Sequence, residues 1–149
     1  MIQLQRTNHS NPDFKSLVQQ LDRELAFLDG DDHEFYDQFN KIDDLKYVVV
    51  AYLANEAVGC GAIKPINKGE MEIKRMYVHV AHRKEGIASA VLNDLEVWAK
   101  ELRADKCILE TGLKQHDAIR LYRKSGYTQI PNYGPYVRME NSLCFAKPI

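Results

Sequence analysis

The chain has 149 residues, of which 45% are hydrophobic and 28% charged, which suits one ordinary domain with a sizeable core and excludes wholesale disorder. Lys and Arg total 20 against 21 Asp and Glu, a net charge of −1, so broad neutralisation of nucleic-acid phosphates is disfavoured and any anion must be held locally. No apolar run approaches the roughly 18 residues of a membrane span, no apolar h-region opens the chain, and three widely spaced cysteines (Cys60, Cys107, Cys144) argue against a disulfide framework or CxxC zinc site and for a reducing cytoplasm.

No linker, repeat or low-complexity stretch divides the sequence, so residues 1–149 read as a single domain. Met1 to Arg6 alternates as a short strand. Asn11-Pro12-Asp13 is a helix start, with Asn as cap and Pro at the first position. Phe14, Leu17, Val18, Leu21, Leu25 and Leu28 then make one apolar stripe. Asp29-Gly30-Asp31-Asp32 breaks that helix, and a second short one is expected over His33 to Asn40. Tyr47 to Leu53 is β-branched and aromatic, as a buried strand should be. Asn55-Glu56 suits a hairpin turn, Val58 to Ile63 the return strand, Pro65 to Gly69 a second turn, and Glu70 to Val80 a long third strand. Gly86 to Leu102 is a helix with Ile87, Val91, Leu92, Leu95, Trp98, Ala99 and Leu102 on one face. Lys106 to Glu110 reads as a strand and Gln115 to Ser125 as a helix closed by Gly126. Tyr127 to Ile130 and Ser142 to Lys147 are the last strands. The order βα(α)βββαβαββ predicts an α/β fold: one central mixed sheet with helices on both faces.

The segment from Met76 to Ser89 is the most informative. A strand ends at Val80, the loop Ala81-His82-Arg83-Lys84-Glu85 follows, and Gly86-Ile87-Ala88-Ser89 opens a helix. The first helical turn leaves amide N–H groups without internal partners, and these together with the helix dipole favour an anion. Gly86 and Ala88 lack bulk, so a phosphate could approach closely, with Arg83 and Lys84 adding charge. The same pattern also fits a plain turn glycine before an amphipathic helix. It is neither a P-loop nor a GxGxxG fingerprint.

Arg83-Lys84-Glu85-Gly86-Ile87-Ala88 matches the (Q/R)-x-x-G-x-(G/A) motif of the GNAT N-acetyltransferase superfamily, which the chain therefore resembles. Ala118-Ile119-Arg120-Leu121-Tyr122-Arg123-Lys124-Ser125-Gly126-Tyr127 looks like that family's A-x-x-L-Y-x-x-x-G-(F/Y) helix end. One helix and one strand lie between the two motifs, as the family requires. The resemblance covers Tyr47 to Ile130 well and the ends loosely. It implies a GNAT-like fold and acetyl-CoA as donor. Backbone groups of Met76, Tyr77 and Val78 would meet the pantetheine arm as an added strand does, and Arg83, Lys84, Glu85, Gly86, Ile87, Ala88 and Ser89 would cradle the pyrophosphate. Lys84 stands where the family often has Gly, and Glu85 has to point its carboxylate outward. Gln115 stands near the family's cofactor-touching Asn.

Acetyl transfer needs a neutral amine, and an alkyl amine has a pKa of about 10.4, so a base is useful, as is a proton for the leaving thiolate. Glu72 lies four residues before Met76, so period 2 puts both on one strand face, with Glu70 as backup. The family often keeps a Glu there, which makes Glu72 the candidate base. The other reading pairs Glu72 with Lys74 on a sheet surface. Tyr122, by its place in the motif, is the candidate acid; the alternative is an aromatic wedge between helix and sheet. His79 and His82 lack companion ligands, so no metal is expected. Cys107 reads as core, and an acyl-cysteine route through Cys144 is disfavoured.

Three segments could meet the acceptor: the acidic run Asp29 to Tyr36, Lys74-Arg75, and Asn132-Tyr133-Gly134-Pro135-Tyr136. The acidic run reads first as a solvated loop, and otherwise as a lure for a cationic amine, whereas Arg75 would suit an acceptor carboxylate. The expected acceptor is thus a primary amine of a small or amino-acid-like molecule, attacking directly in a ternary complex. An acetyl-CoA sensor without turnover and acetylation of a protein lysine or N-terminus are the alternatives. Nucleic acid and membrane are not expected partners. The resemblance also admits a homodimer.

Overall fold

The computed structural model describes residues 1–149. The elements follow in the order β1 (Gln3–Thr7), α1 (Pro12–Asp29), a single 3-10 turn (Gly30–Asp32), α2 (His33–Asp37), β2 (Tyr47–Leu53), β3 (Glu56–Asn67), β4 (Glu70–Val78), α3 (Ile87–Glu101), β5 (Lys106–Gly112), α4 (His116–Lys124), β6 (Thr128–Ile130) and β7 (Ser142–Pro148). All seven strands form one sheet in the order β1-β2-β3-β4-β5-β7-β6. Only the β4–β5 pair is parallel; the other neighbours are antiparallel. The expected mixed sheet with helices on both faces is therefore the architecture observed.

The unbroken apolar run of β2 is explained by burial on both sides. Val48 and Val50 pack with Cys60 and Ala62 against Phe14, Leu17 and Val18 of α1. Val49 and Ala51 face the other way, into a larger core with Val91, Leu92, Leu95 and Ala99 of α3. Period 2 sends alternate side chains to opposite faces, so both must be apolar. Asn11 starts α1 as expected: its side-chain oxygen accepts the Phe14 N–H at 3.0 Å, with Pro12 at the first position. Tyr36 of α2 joins Tyr136 and Cys144 in a small aromatic cluster on the α1 side.

Several boundaries differ from the sequence reading. The β2–β3 turn is Ala54-Asn55, both in the left-handed region (φ 49° and 67°), the backbone that a tight two-residue hairpin requires. β3 continues through Pro65 to Asn67, because the sheet register shifts between Pro65 and Asn67 and the proline sits at that irregularity. The second turn is left to Lys68 and Gly69. β4 stops at Val78, and Val80–His82 makes one 3-10 turn. α2 stops at Asp37, short of Asn40, while β5 runs two residues past Glu110.

The feature that positions the site is an irregularity in β4. Between the pairs Cys60↔Tyr77 and Ala62↔Lys74, β3 advances two residues and β4 three. Arg75 absorbs the extra residue with φ 57°. Beyond it the strands separate: β4 pairs with β5 only from Glu70↔Lys106 to Glu72↔Ile108. β5 meanwhile stays paired with β7 along its length. The result is a V-shaped split in the sheet.

Candidate active site

The split opens into a cleft of about 1090 Å³. Its walls are β4 from Glu72 to Val78, the end of β5, the first turn of α3, one side of α4 and the inner face of α1. Past Glu72, β4 has no partner on its β5 side, so Met76, Tyr77 and Val78 border the cleft with one backbone edge unmatched. An extended polar chain can add to such an edge.

The loop before α3 carries two left-handed residues, Lys84 (φ 64°) and Gly86 (φ 83°). The first explains why a glycine would also suit position 84. Gly86 caps α3 without a side-chain bond, and a Cβ added there would meet nothing within 4 Å. The space above it is open to a ligand, with Ala88 and Ser89 of the first turn beside it. Ile87 turns inward and is buried in the α3-side core. Lys84 makes no ion pair with a protein carboxylate, whereas Glu85 faces His82 at 3.4 Å and does not line the cleft. His79 accepts the Ala81 N–H at 3.1 Å, so these histidines shape the turn.

Arg83 departs from its expected place. Its Nε donates to the Val78 carbonyl at 3.0 Å, and its two terminal nitrogens grip Glu24 of α1 at 3.1 and 2.8 Å. The guanidinium also lies 5.6 Å from the Tyr77 ring centre. Its charge is matched by Glu24, so the side chain ties the loop to α1, and only its backbone remains for an anion. Lys114 and Lys124, which the sequence reading passed over, also line the cleft.

Tyr122 sits on α4 in the α3-side core, edge-on to Tyr127 at 5.8 Å, and reaches the cleft. Burial, and secondarily the Glu110 carboxylate, push its phenol well above the usual value, so it holds its proton at neutral pH. Gln115 precedes α4, packs over Gly112 and lines the same wall.

Glu72 requires a correction. An unbroken strand would put it on one face with Met76, but the extra residue at Arg75 reverses the alternation. Met71, Ile73 and Met76 all join the α3-side core, which leaves Glu72 on the α1 side. There one carboxylate oxygen accepts the Tyr133 hydroxyl at 2.5 Å and the other lies 3.5 Å from the Lys74 ammonium. Both oxygens are thus engaged. Burial, then Glu72 itself, raise the Tyr133 phenol far above its ordinary value, so Tyr133 is the donor. Glu70 faces Asn67 and Lys106 and does not line the cleft.

Arg75 is not free to hold an acceptor carboxylate. Its side chain is 1% exposed, donates to Asp22 at 2.5 Å and to the Asn40 carbonyl at 3.1 Å, and leaves only its buried Nε without a partner. It anchors the bulge to α1.

The carboxylate that sequence reasoning missed is Glu110. It alternates with the core residue Leu109 and pairs across to Cys144, so it faces the α1 side. Oε2 accepts the Ser142 hydroxyl at 2.7 Å, and Ser142 in turn lies 2.7 Å from the Tyr36 hydroxyl. Burial raises the Glu110 carboxyl to about 7. A Glu ending the apolar run Cys107-Ile108-Leu109 was the available signal, because a charged residue there either leaves the sheet or sits inside it. Cys144, part of the Tyr36 and Tyr136 cluster, has a thiol raised by burial to about 11 and so is not a ready nucleophile.

Residues 14–127 match the acetyltransferase (GNAT) family profile. An IAA acetyltransferase of Azospirillum brasilense is 34% identical over 136 residues, covering 89% of this chain and 88% of that one. A solved Klebsiella pneumoniae structure of acyl-CoA N-acyltransferase type superposes with a TM-score of 0.82 at 27% identity, covering 99% and 97% of the two chains. A GNAT family acetyltransferase from Elizabethkingia anophelis, solved with acetyl-CoA bound, shares the fold at a TM-score of 0.72 and 20% identity, covering 99% and 98%.

Proposed function

The chain belongs to the GNAT acetyltransferase family, and from that premise we propose that it moves the acetyl group of acetyl-CoA onto a primary amine of a small molecule, by direct attack in a ternary complex. The observation that carries this reading is the split between β4 and β5, which joins an amide-lined loop on one side of the sheet to a carboxylate-lined floor on the other.

In this proposal the diphosphate lies over Gly86, against the backbone of residues 83–89 and beside the Lys84 ammonium. The pantetheine arm runs along the open edge of Met76, Tyr77 and Val78, with Gln115 and Tyr122 on the opposite wall. The thioester then reaches the split with its sulfur toward α4. The amine arrives on the α1 side and loses a proton to a carboxylate there. Its lone pair forms the N–C bond, and the C–S bond breaks with the electron pair on sulfur. The thiolate takes the Tyr122 proton. The excess proton on the amide nitrogen returns through solvent to the Tyr122 oxygen, so each turnover releases one proton, from the carboxylate. Tyr122 is suited to this because burial keeps it protonated.

The test is calorimetric titration with acetyl-CoA, followed by thiol release over a panel of amines, amino acids, polyamines, aminoglycosides and IAA. Micromolar binding with thiol release on at least one amine is expected. Binding with no release across the panel would leave a sensor instead, and no binding would remove the reading.

A further inference from the structure

We propose that Glu110 receives the acceptor as an alkylammonium on the α1 side of the split and removes its proton, so that the acceptor is a primary amine on an apolar body with no carboxylate beside the amine. This rests on the acetyl-transfer reading above and goes on to name the group that meets the amine and the class of amine it selects.

Position is the first argument. Pairing between β4 and β5 ends at Ile108, and Glu110 is the next β5 residue on the same face, where the strands have parted. Tyr122 belongs to the opposite, α3-side core. A thioester threaded through the split would therefore have its sulfur near a phenol and its carbonyl carbon exposed toward Glu110. Nucleophile and leaving group would approach from and depart to different faces of the sheet.

Freedom of the carboxylate is the second. Glu110 Oε2 is held by Ser142, itself fixed by Tyr36, whereas Oε1 has no hydrogen-bond partner. The other carboxylates nearby are engaged: Glu72 with Tyr133 and Lys74, Asp22 with Arg75, and Asp29 with His33 at 3.3 Å. Lys74 and Arg75 are each matched by one of these, so neither is free to anchor a substrate carboxylate beside Glu110; Lys114 and Lys124 line the cleft as well, but neither is among the groups that face Glu110. An incoming ammonium would supply the missing charge. An amino acid would bring a second anion into the same place.

The walls are the third. Leu21, Leu25 and Leu28 of α1 line the cleft together with Tyr36 and Tyr136. Such a surface rewards an apolar body with hydrophobic burial.

Burial sets the Glu110 carboxyl at about 7, where a base must be ionised yet still able to accept a proton. The groups facing it are Lys74 and Glu72 from β4, Asp29 from α1, Tyr36 from α2, Tyr122 from α4, Cys144 from β7 and Tyr136. Of these only Lys74 favours the ionised carboxylate by its charge, against Asp29 and Glu72.

Two probes with the same body, 2-phenylethylamine and phenylalanine, test the proposal. The wild-type enzyme should acetylate the amine at least about tenfold more efficiently in kcat/KM than the amino acid. Glu110→Gln should lower kcat on the amine by about 10²-fold or more, remove the inflection near pH 7 from the kcat/KM profile, and leave the Kd for acetyl-CoA unchanged. Independently of any variant, 2-phenylethylamine should bind the wild-type CoA complex about twentyfold more weakly at pH 5.5 than at pH 7.5, as the carboxylate becomes protonated. Equal or better use of phenylalanine, a Gln variant that keeps the rate and the inflection, pH-independent amine binding, or no turnover of the amine by a protein that binds acetyl-CoA would each overturn it. Failure of the wild type to bind acetyl-CoA would instead overturn the acetyl-transfer reading itself.

Discussion

The two ends of the cleft are made from different materials. The end at α3 is built of backbone: first-turn amides, the left-handed Lys84 and Gly86, and the unmatched edge of β4. The end at α1 is built of side chains brought from distant parts of the chain, as Glu110, Ser142 and Tyr36 are. A backbone site depends on chain direction and a few small residues, so many sequences can form it. A side-chain site depends on which residues meet, and it can change with single substitutions while the first end stays fixed. A constant donor and a variable acceptor would follow from that division of labour.

The sharpest way to break this comparison is at Tyr122, which lines the cleft between the two ends. Tyr122→Phe should lower kcat by about 10²-fold or more while acetyl-CoA affinity stays within about twofold. Equal losses in steady-state rate and calorimetric affinity would make the phenol a packing group instead. Gly86→Val tests the backbone end alone. At φ 83° a branched side chain costs roughly 1–2 kcal/mol, which the fold should survive, as circular dichroism would show. The added methyls enter the open space above the helix, so acetyl-CoA affinity should fall by about 30-fold or more; an unchanged Kd would reduce the loop to a turn.

The side-chain end has a thermodynamic signature. Because the folded Glu110 carboxyl sits near 7 rather than at its ordinary 4.5, the folded chain holds more protons than the unfolded one between those values. Stability therefore falls as pH rises through that window. Glu110→Gln lacks this loss and should gain on the order of 3 kcal/mol over wild type at pH 8 but little at pH 4. Parallel melting curves across pH would contradict a buried, raised carboxyl. The smallest effect is expected at Glu72, whose oxygens are already occupied. Glu72→Gln should cost less than about tenfold in kcat, a loss well below that of a general base, and a larger loss would restore it as a candidate base.

What could be read from the sequence follows the same line. Asn11-Pro12, the stripe of α1, the run of β2 and the Gly86 helix start are local, so spacing alone located them. The loop before that helix was legible for the same reason. The face of Glu72 was not, because alternation along β4 is reset at Arg75 by a register that only β3 reveals. Arg83 was legible as a cation but not as the partner of Glu24, a residue of α1 on the far side of β2 and β3 in sequence. Glu110 escaped notice because its meaning lies in Ser142 and Tyr36, with no short-range pattern linking the three.

One further consequence concerns how such an enzyme is watched at work. Cys60, Cys107 and Cys144 are each fully buried, and their thiols are raised to about 12, 12 and 11. The folded protein thus offers almost no reactive thiolate to a disulfide dye near neutral pH. Colour developed in a continuous assay would count liberated coenzyme molecules against a silent background, and a sudden rise in that background would report the fold coming apart.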